Sequence, residues 1–191
     1  MFQIFSIVSL VIAITIHEFS HAFVADILGD PTPRSQKRLS LNPLKHLDPL
    51  GTIMLILVGF GWGKPVVIDP YNFSHPRRDE IFVSLSGPLS NILLAIVMSI
   101  FLKLFPFTPL VILIQMNIIL AVFNLLPIPP LDGSKIFLNL LPEQKSYEWE
   151  LAFEKYGIII LIALLFLPFN GSNLISSIMS PIIQFVLQLL V

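Results

Sequence analysis

The stretch that decides the fold is Ile12-Ala13-Ile14-Thr15-Ile16-His17-Glu18-Phe19-Ser20-His21-Ala22-Phe23-Val24-Ala25. It lies in an apolar run from residue 2 to 28, interrupted only by His17, Glu18, His21 and Asp26 among titratable groups. A membrane-crossing helix needs about 20 mostly apolar residues, and this run supplies them. The segment lacks the basic start and small-residue cleavage site of a signal peptide, so a retained helix is expected. On a helix, positions i and i+4 share a face, which brings the imidazoles of His17 and His21 toward one point. Glu18, beside the first of them, is placed to take a proton from a metal-activated water. An ionisable group inside an apolar helix costs about 2.5–3.5 kcal/mol when charged at the centre, so three of them at this spacing point to a site.

Composition agrees with a chain solvated largely by lipid. The 191 residues are 55% hydrophobic and 12% charged, about half of the roughly 25% usual in soluble domains. Mean hydropathy is +0.86. A formal net charge of −1 gives no reason to expect nucleic acid as a partner. Cysteine is absent, so disulfides and thiolate metal sites are excluded and any metal must rest on His, carboxylate or water.

Working outward, Gly29, Asp30, Pro31 and Pro33 end the first helix, and a polar, proline-bearing loop follows to residue 49. Leu50 to Phe60 is apolar but too short to span, which suggests a re-entrant or interfacial segment. The alternating glycines of Gly59-Phe60-Gly61-Trp62-Gly63-Lys64-Pro65-Val66-Val67-Ile68 predict a short membrane-associated β segment near 59–68. Residues 81–105 form a second long helix with a kink expected at Gly87-Pro88, and residues 110–126 a third, stopped by Pro127, Pro129 and Pro130. Residues 134–156 are polar, and the apolar stretches 157–169 and 174–191 suggest a hairpin. The fold class is therefore an all-α polytopic membrane protein: three core transmembrane helices, a C-terminal apolar hairpin and the β segment. Residues 1–140 form the core, and 141–191 a C-terminal helical membrane segment.

Ten of the 11 Lys and Arg fall in segments 29–80 and 134–156, with only Lys103 elsewhere. Basic residues favour cytoplasmic loops, so both segments and the site near them are expected on the cytoplasmic side. A catalytic zinc needs a third protein ligand and an open position. His46 and His75 lie in polar loops where histidine is ordinary. Asp132 follows the third helix after Asn124-Leu125-Leu126-Pro127-Ile128-Pro129-Pro130-Leu131 and precedes Gly133. It can meet His17 and His21 at one depth, although Asp-Gly is also a common turn dipeptide, and spacing alone leaves both open.

His-Glu-x-x-His in a first core helix, paired with Asn-x-x-Pro-x-x-x-x-Asp-Gly in a later one, resembles the site-2 protease family of intramembrane zinc metalloproteases. Gly61-Trp62-Gly63-Lys64-Pro65-Val66 is similar to that family's Gly-rich β segment, and Ser86-Gly87-Pro88-Leu89-Ser90-Asn91 to its Gly-Pro-x-x-Asn stretch. The resemblance covers roughly residues 1–140 and suggests a minimal, core-only member without a PDZ-like insertion. It implies zinc held by His17, His21 and Asp132, with Glu18 as general base. Asn124 becomes a candidate for polarising the scissile carbonyl, with a helix C-cap as its alternative role. Gly61, Gly63 and Asn91 become candidate substrate-binding residues. The implied partner is a membrane-anchored protein substrate, cut in or near its transmembrane segment; oligomeric state is not legible. A non-catalytic metal-binding membrane protein (transporter, sensor or inactive scaffold) would use the same His and Asp side chains. The charge-free final stretches argue against a transport path, and an intact Glu18 argues against a scaffold.

Overall fold

The computed structural model describes residues 2–58, 61–169 and 171–191. Helix α1 runs over Phe2–Ile27 without an internal Gly or Pro. Its end is a Schellman motif: Gly29 takes φ +111°, its N–H donates to Asp26 O at 3.3 Å, and Asp30 N–H donates to Ala25 O at 2.9 Å. The buried Asp30 carboxylate then accepts from Thr32 N, Asp69 N and Asn72 Nδ2, which ties the end of α1 to a 3-10 turn at Pro70–Asn72.

After a single helical turn, α2 (Thr32–Ser35), the apolar segment forms helix α3 (Pro49–Val58). The β segment expected near 59–68 is not a strand over its described part. Gly59 and Phe60 lie outside the described residues, and residues 61–68 form neither helix nor ladder, with one isolated antiparallel bridge between Leu47 and Gly63. The glycines serve close approach there: a Cβ on Gly61 would stand 2.2 Å from Gly51 O, and one on Gly51 would stand 2.3 Å from Trp62 O. The short two-stranded sheet lies elsewhere, pairing β1 (Pro168–Phe169) with β2 (Ser172–Asn173).

Helix α4 spans Pro76–Leu104 and continues through Pro88. It begins ahead of the expected residue 81 because Pro76 suits a first helical position and Asp79 Oδ2 accepts from His75 N at 3.0 Å. This polar first turn leaves no hydropathy signal. Helix α5 (Thr108–Asn124) is followed by the proline-rich turn and α6 (Asp132–Leu140). The polar stretch after residue 134 is helical too: α7 (Glu143–Phe166) starts polar and ends apolar, and the β1–β2 turn leads to α8 (Leu174–Leu190).

Helix α4 is central and packs on α1, α5 and α6, while α8 covers α5. One core joins Ala95, Ile114 and Ile118 to Ile183, Val186 and Leu187 of α8. The polarity is inverted relative to a soluble bundle. Ser9, Thr15, His17, His21, Asn91, Ser99 and Asn117 are buried, while Ile4, Val8, Leu89, Leu93, Ile100 and Ile158 face outward. Two helices, residues 3–27 and 76–104, are long and apolar enough to cross a membrane, and only 39% and 33% of their most apolar windows are buried in the protein. A core helix of a soluble protein would be mostly covered. Helices α5 and α8 have 17 residues each, about 25 Å at roughly 1.5 Å per residue.

Candidate metal centre

His17 and His21 stand one turn apart on the buried face of α1. Their ring nitrogens can be assigned from their partners. His21 Nδ1 lies 2.7 Å from Val83 O, and a carbonyl only accepts, so Nδ1 carries the hydrogen. His17 Nδ1 lies 2.7 Å from Asn91 Oδ1. The Asn91 amide has both hydrogens engaged, by Ala13 O at 3.0 Å and Asn117 Oδ1 at 2.8 Å. Asn117 in turn donates to Leu113 O, which fixes its own orientation. Asn91 can therefore only accept from His17. In the neutral imidazoles both Nε2 atoms then carry lone pairs.

Those two lone pairs meet a third. His17 Nε2 and His21 Nε2 are 3.0 Å apart, and Asp132 Oδ2 lies 3.0 Å from the first and 3.2 Å from the second. With both imidazoles neutral, these are three electron-pair donors within 3.2 Å of one another, an arrangement that a bound cation would satisfy. Two imidazoles and one carboxylate are a zinc donor set that leaves a position open for water. Among the described residues, these three form the cluster of His and acidic side chains able to hold a metal.

Asp132 arrives from α6, whose first turn it opens. Gly133 is helical rather than a left-handed turn residue. Its missing Cβ makes room for backbone, since that atom would lie 2.3 Å from Leu125 O and 2.4 Å from Leu126 O. The close approach lets the chain double back from α5 and deliver Asp132 to α1. Gly87 has the corresponding role on α4. A Cβ there would lie 2.4 Å from His21 Nε2 and 2.7 Å from His17 Cε1, so α4 presses its backbone onto the rings.

The Glu18 carboxylate is 14% exposed; Oε2 accepts from Val66 N at 3.0 Å. A Cβ on Gly63 would stand 3.9 Å from Glu18 Oε1, so the glycine-rich run does lie over the proposed base. Asn91, singled out from sequence for substrate, is fully buried and holds the far side of the His17 ring. Asn124 ends α5 and donates to Leu120 O at 3.0 Å, with no hydrogen bond to His17, His21 or Asp132 among the described residues. His46 is buried in the loop beside Arg38 and Ser40 O, and His75 caps α4. Sequence reasoning missed Val83 O, whose backbone role leaves no side-chain signal, and the ring-packing role of Gly87. It also missed Asn117, which reads as one polar residue in an apolar helix.

Comparison with known proteins identifies the family. The profile of peptidase family M50 matches residues 104–168. A Bacillus subtilis (strain 168) protein named "Putative zinc metalloprotease YwhC" is 38% identical over 179 residues, covering 86% of this chain and 81% of the relative. A Mycolicibacterium smegmatis protein named "Putative zinc metalloprotease Rip2" is 32% identical over 170 residues, covering 82% of this chain and 64% of the relative. A Methanocaldococcus jannaschii protein named "Putative zinc metalloprotease MJ0611" is 34% identical over 92 residues, covering 46% of this chain and 48% of the relative. No solved structure matches the chain. With this degree of likeness to YwhC along most of both chains, the protein belongs to peptidase family M50, the site-2 protease family, and is a metalloprotease.

Proposed function

We propose that this metalloprotease cuts membrane-anchored proteins within or near a transmembrane segment, with zinc held by His17 Nε2, His21 Nε2 and Asp132 Oδ2. The observation that carries the reading is the convergence of those three lone-pair atoms inside a bundle whose outer face is apolar. Zinc bound there supplies Lewis-acid activation of a water and of the scissile carbonyl. Glu18 takes the proton from the attacking water and returns it to the leaving amine. Asn91 and Val83 O keep each Nδ1 protonated, so each Nε2 stays directed at the site.

A substrate helix hides its peptide bonds in its own hydrogen bonds and must unwind to be cut. The run 63–68, beside Glu18, offers backbone for a locally extended substrate to pair with. Asn124 retains one amide hydrogen beyond its bond to Leu120 O and is proposed to donate to the carbonyl during reaction. Glu18 lies against the basic loop through Arg38 and Val66, which supports an active site facing the cytoplasmic side.

The test is cleavage of a single-span membrane substrate in proteoliposomes. Wild type is expected to cut, chelation of zinc to stop it, and Glu18→Gln to abolish turnover while retaining the metal. Helix-breaking residues near the cut are expected to speed cleavage. Undiminished cutting by Glu18→Gln would remove Glu18 from its role.

A further inference from the structure

Arg38 is buried, at 5% exposure, although it belongs to the polar loop after α2. Its Nη2 donates to Lys64 O, lies 3.5 Å from His46 Nδ1 and stands 3.8 Å from Glu18 Oε2. His46 is fully buried beside it. The His46 Nε2 is 2.6 Å from Ser40 O and therefore carries the hydrogen, which leaves the Nδ1 lone pair facing the guanidinium. Burial pushes the His46 imidazole down, toward this neutral form. The His46 backbone carbonyl accepts from Lys64 N at 2.8 Å, and Leu47 bridges Gly63. The loop and the glycine-rich run are thus zipped together, and the seam ends on one oxygen of Glu18, which also receives Val66 N–H.

Stability alone does not account for a guanidinium here. A buried charge needs full pairing, and Arg38 Nε has no hydrogen-bond partner among the described residues. Its strongest opposite charge is the general base, at ion-pair distance. A carboxylate that must face an attacking water with one oxygen gains from having the other held. Oε2 is engaged by Val66 N–H and stands at ion-pair distance from Arg38, while no hydrogen bond to Oε1 is formed among the described residues.

We propose that Arg38, seated by His46 and Lys64 O, is a positioning residue that fixes the Glu18 carboxylate so that Oε1 serves as the proton-accepting oxygen. The inference rests on the reading of Glu18 as general base. It adds a loop-borne side chain to the proteolytic machinery.

The test compares wild type, Glu18→Gln, Arg38→Ala, Arg38→Gln and Arg38→Lys in proteoliposomes with a single-span substrate that wild type cleaves. Zinc per chain, kcat and KM are measured for each. Arg38→Ala and Arg38→Gln are expected to lower kcat about 10- to 100-fold with zinc content and KM near wild type. Arg38→Lys, which keeps the charge, is expected to recover much of the loss. In a Glu18→Gln background, adding Arg38→Gln is expected to leave substrate crosslinking unchanged. A kcat at the wild-type level in Arg38→Gln overturns the proposal while Glu18→Gln remains inactive and the general-base reading stands. A joint loss of zinc, KM and thermal stability in all three Arg38 variants overturns it in favour of a structural tether. Turnover retained in Glu18→Gln overturns both readings together.

Discussion

Asp132 Oδ2 lies 3.0 Å from His17 Nε2, although the two residues are 115 positions apart in the chain. The contact closes a loop through three helices. Helix α1 presents the ring, Gly87 of α4 lets the backbone press against it, and Gly133 of α6 lets the chain return from α5. Each of these close approaches can be tested by adding a single methyl group.

Gly87→Ala places a Cβ 2.4 Å from His21 Nε2 and 2.6 Å from His21 Cε1, inside any tolerable contact. The rings are the side that must yield, because α4 is packed on α1, α5 and α6. Zinc affinity is expected to fall about 10- to 100-fold or more, as for loss of an outer-shell partner. Competition with a graded series of chelators reads this. Wild-type zinc retention would show that the rings are not held in this place.

Asn91→Ala removes the acceptor from His17 Nδ1 and the donor from Asn117 Oδ1, while Ala13 O keeps its bond within α1. Buried acceptors left unpaired cost about 1–3 kcal/mol each. The expected outcome is weaker zinc binding and a lower unfolding temperature, with KM for substrate little changed once zinc is saturating. A rise in KM alone, with zinc affinity intact, would return Asn91 to the substrate-binding role its sequence context suggested.

The first helix and the convergence of His17 and His21 were legible because both signals are local. An apolar run fixes the length of α1, and i, i+4 spacing on a helix fixes the convergence of His17 and His21. Asp132 needed the resemblance between paired motifs, since spacing leaves Asp-Gly as a turn. The contact between Asn91 and His17 was not legible, because the two are 74 residues apart and the burial of Asn91 leaves no trace in the sequence. The β segment expected near 59–68 is, over residues 61–68, a single bridge at Gly63, for a related reason. Alternating glycines there answer to Gly51, Leu55 and Ile14 across the fold, not to a neighbouring strand. Helix α7 escaped because its polar first half and apolar second half read as different segments.

The absence of native cysteine makes topology directly measurable. Lys37 and Phe107 are both exposed and lie beyond opposite ends of the long apolar helices. Lys37→Cys is expected to react with a membrane-impermeant thiol reagent only when the cytoplasmic face is open to it, and Phe107→Cys only from the other face. Labelling of both from one side would contradict the proposed orientation.

Whether His17, His21 and Asp132 hold one zinc ion is measured by metal content, using mass spectrometry on detergent-purified protein with wild type beside His17→Ala and Asp132→Ala. About one zinc per chain is expected in wild type, with clear loss in both variants. Zinc unchanged in Asp132→Ala, or no zinc in wild type after zinc is supplied throughout growth and purification, would contradict that assignment.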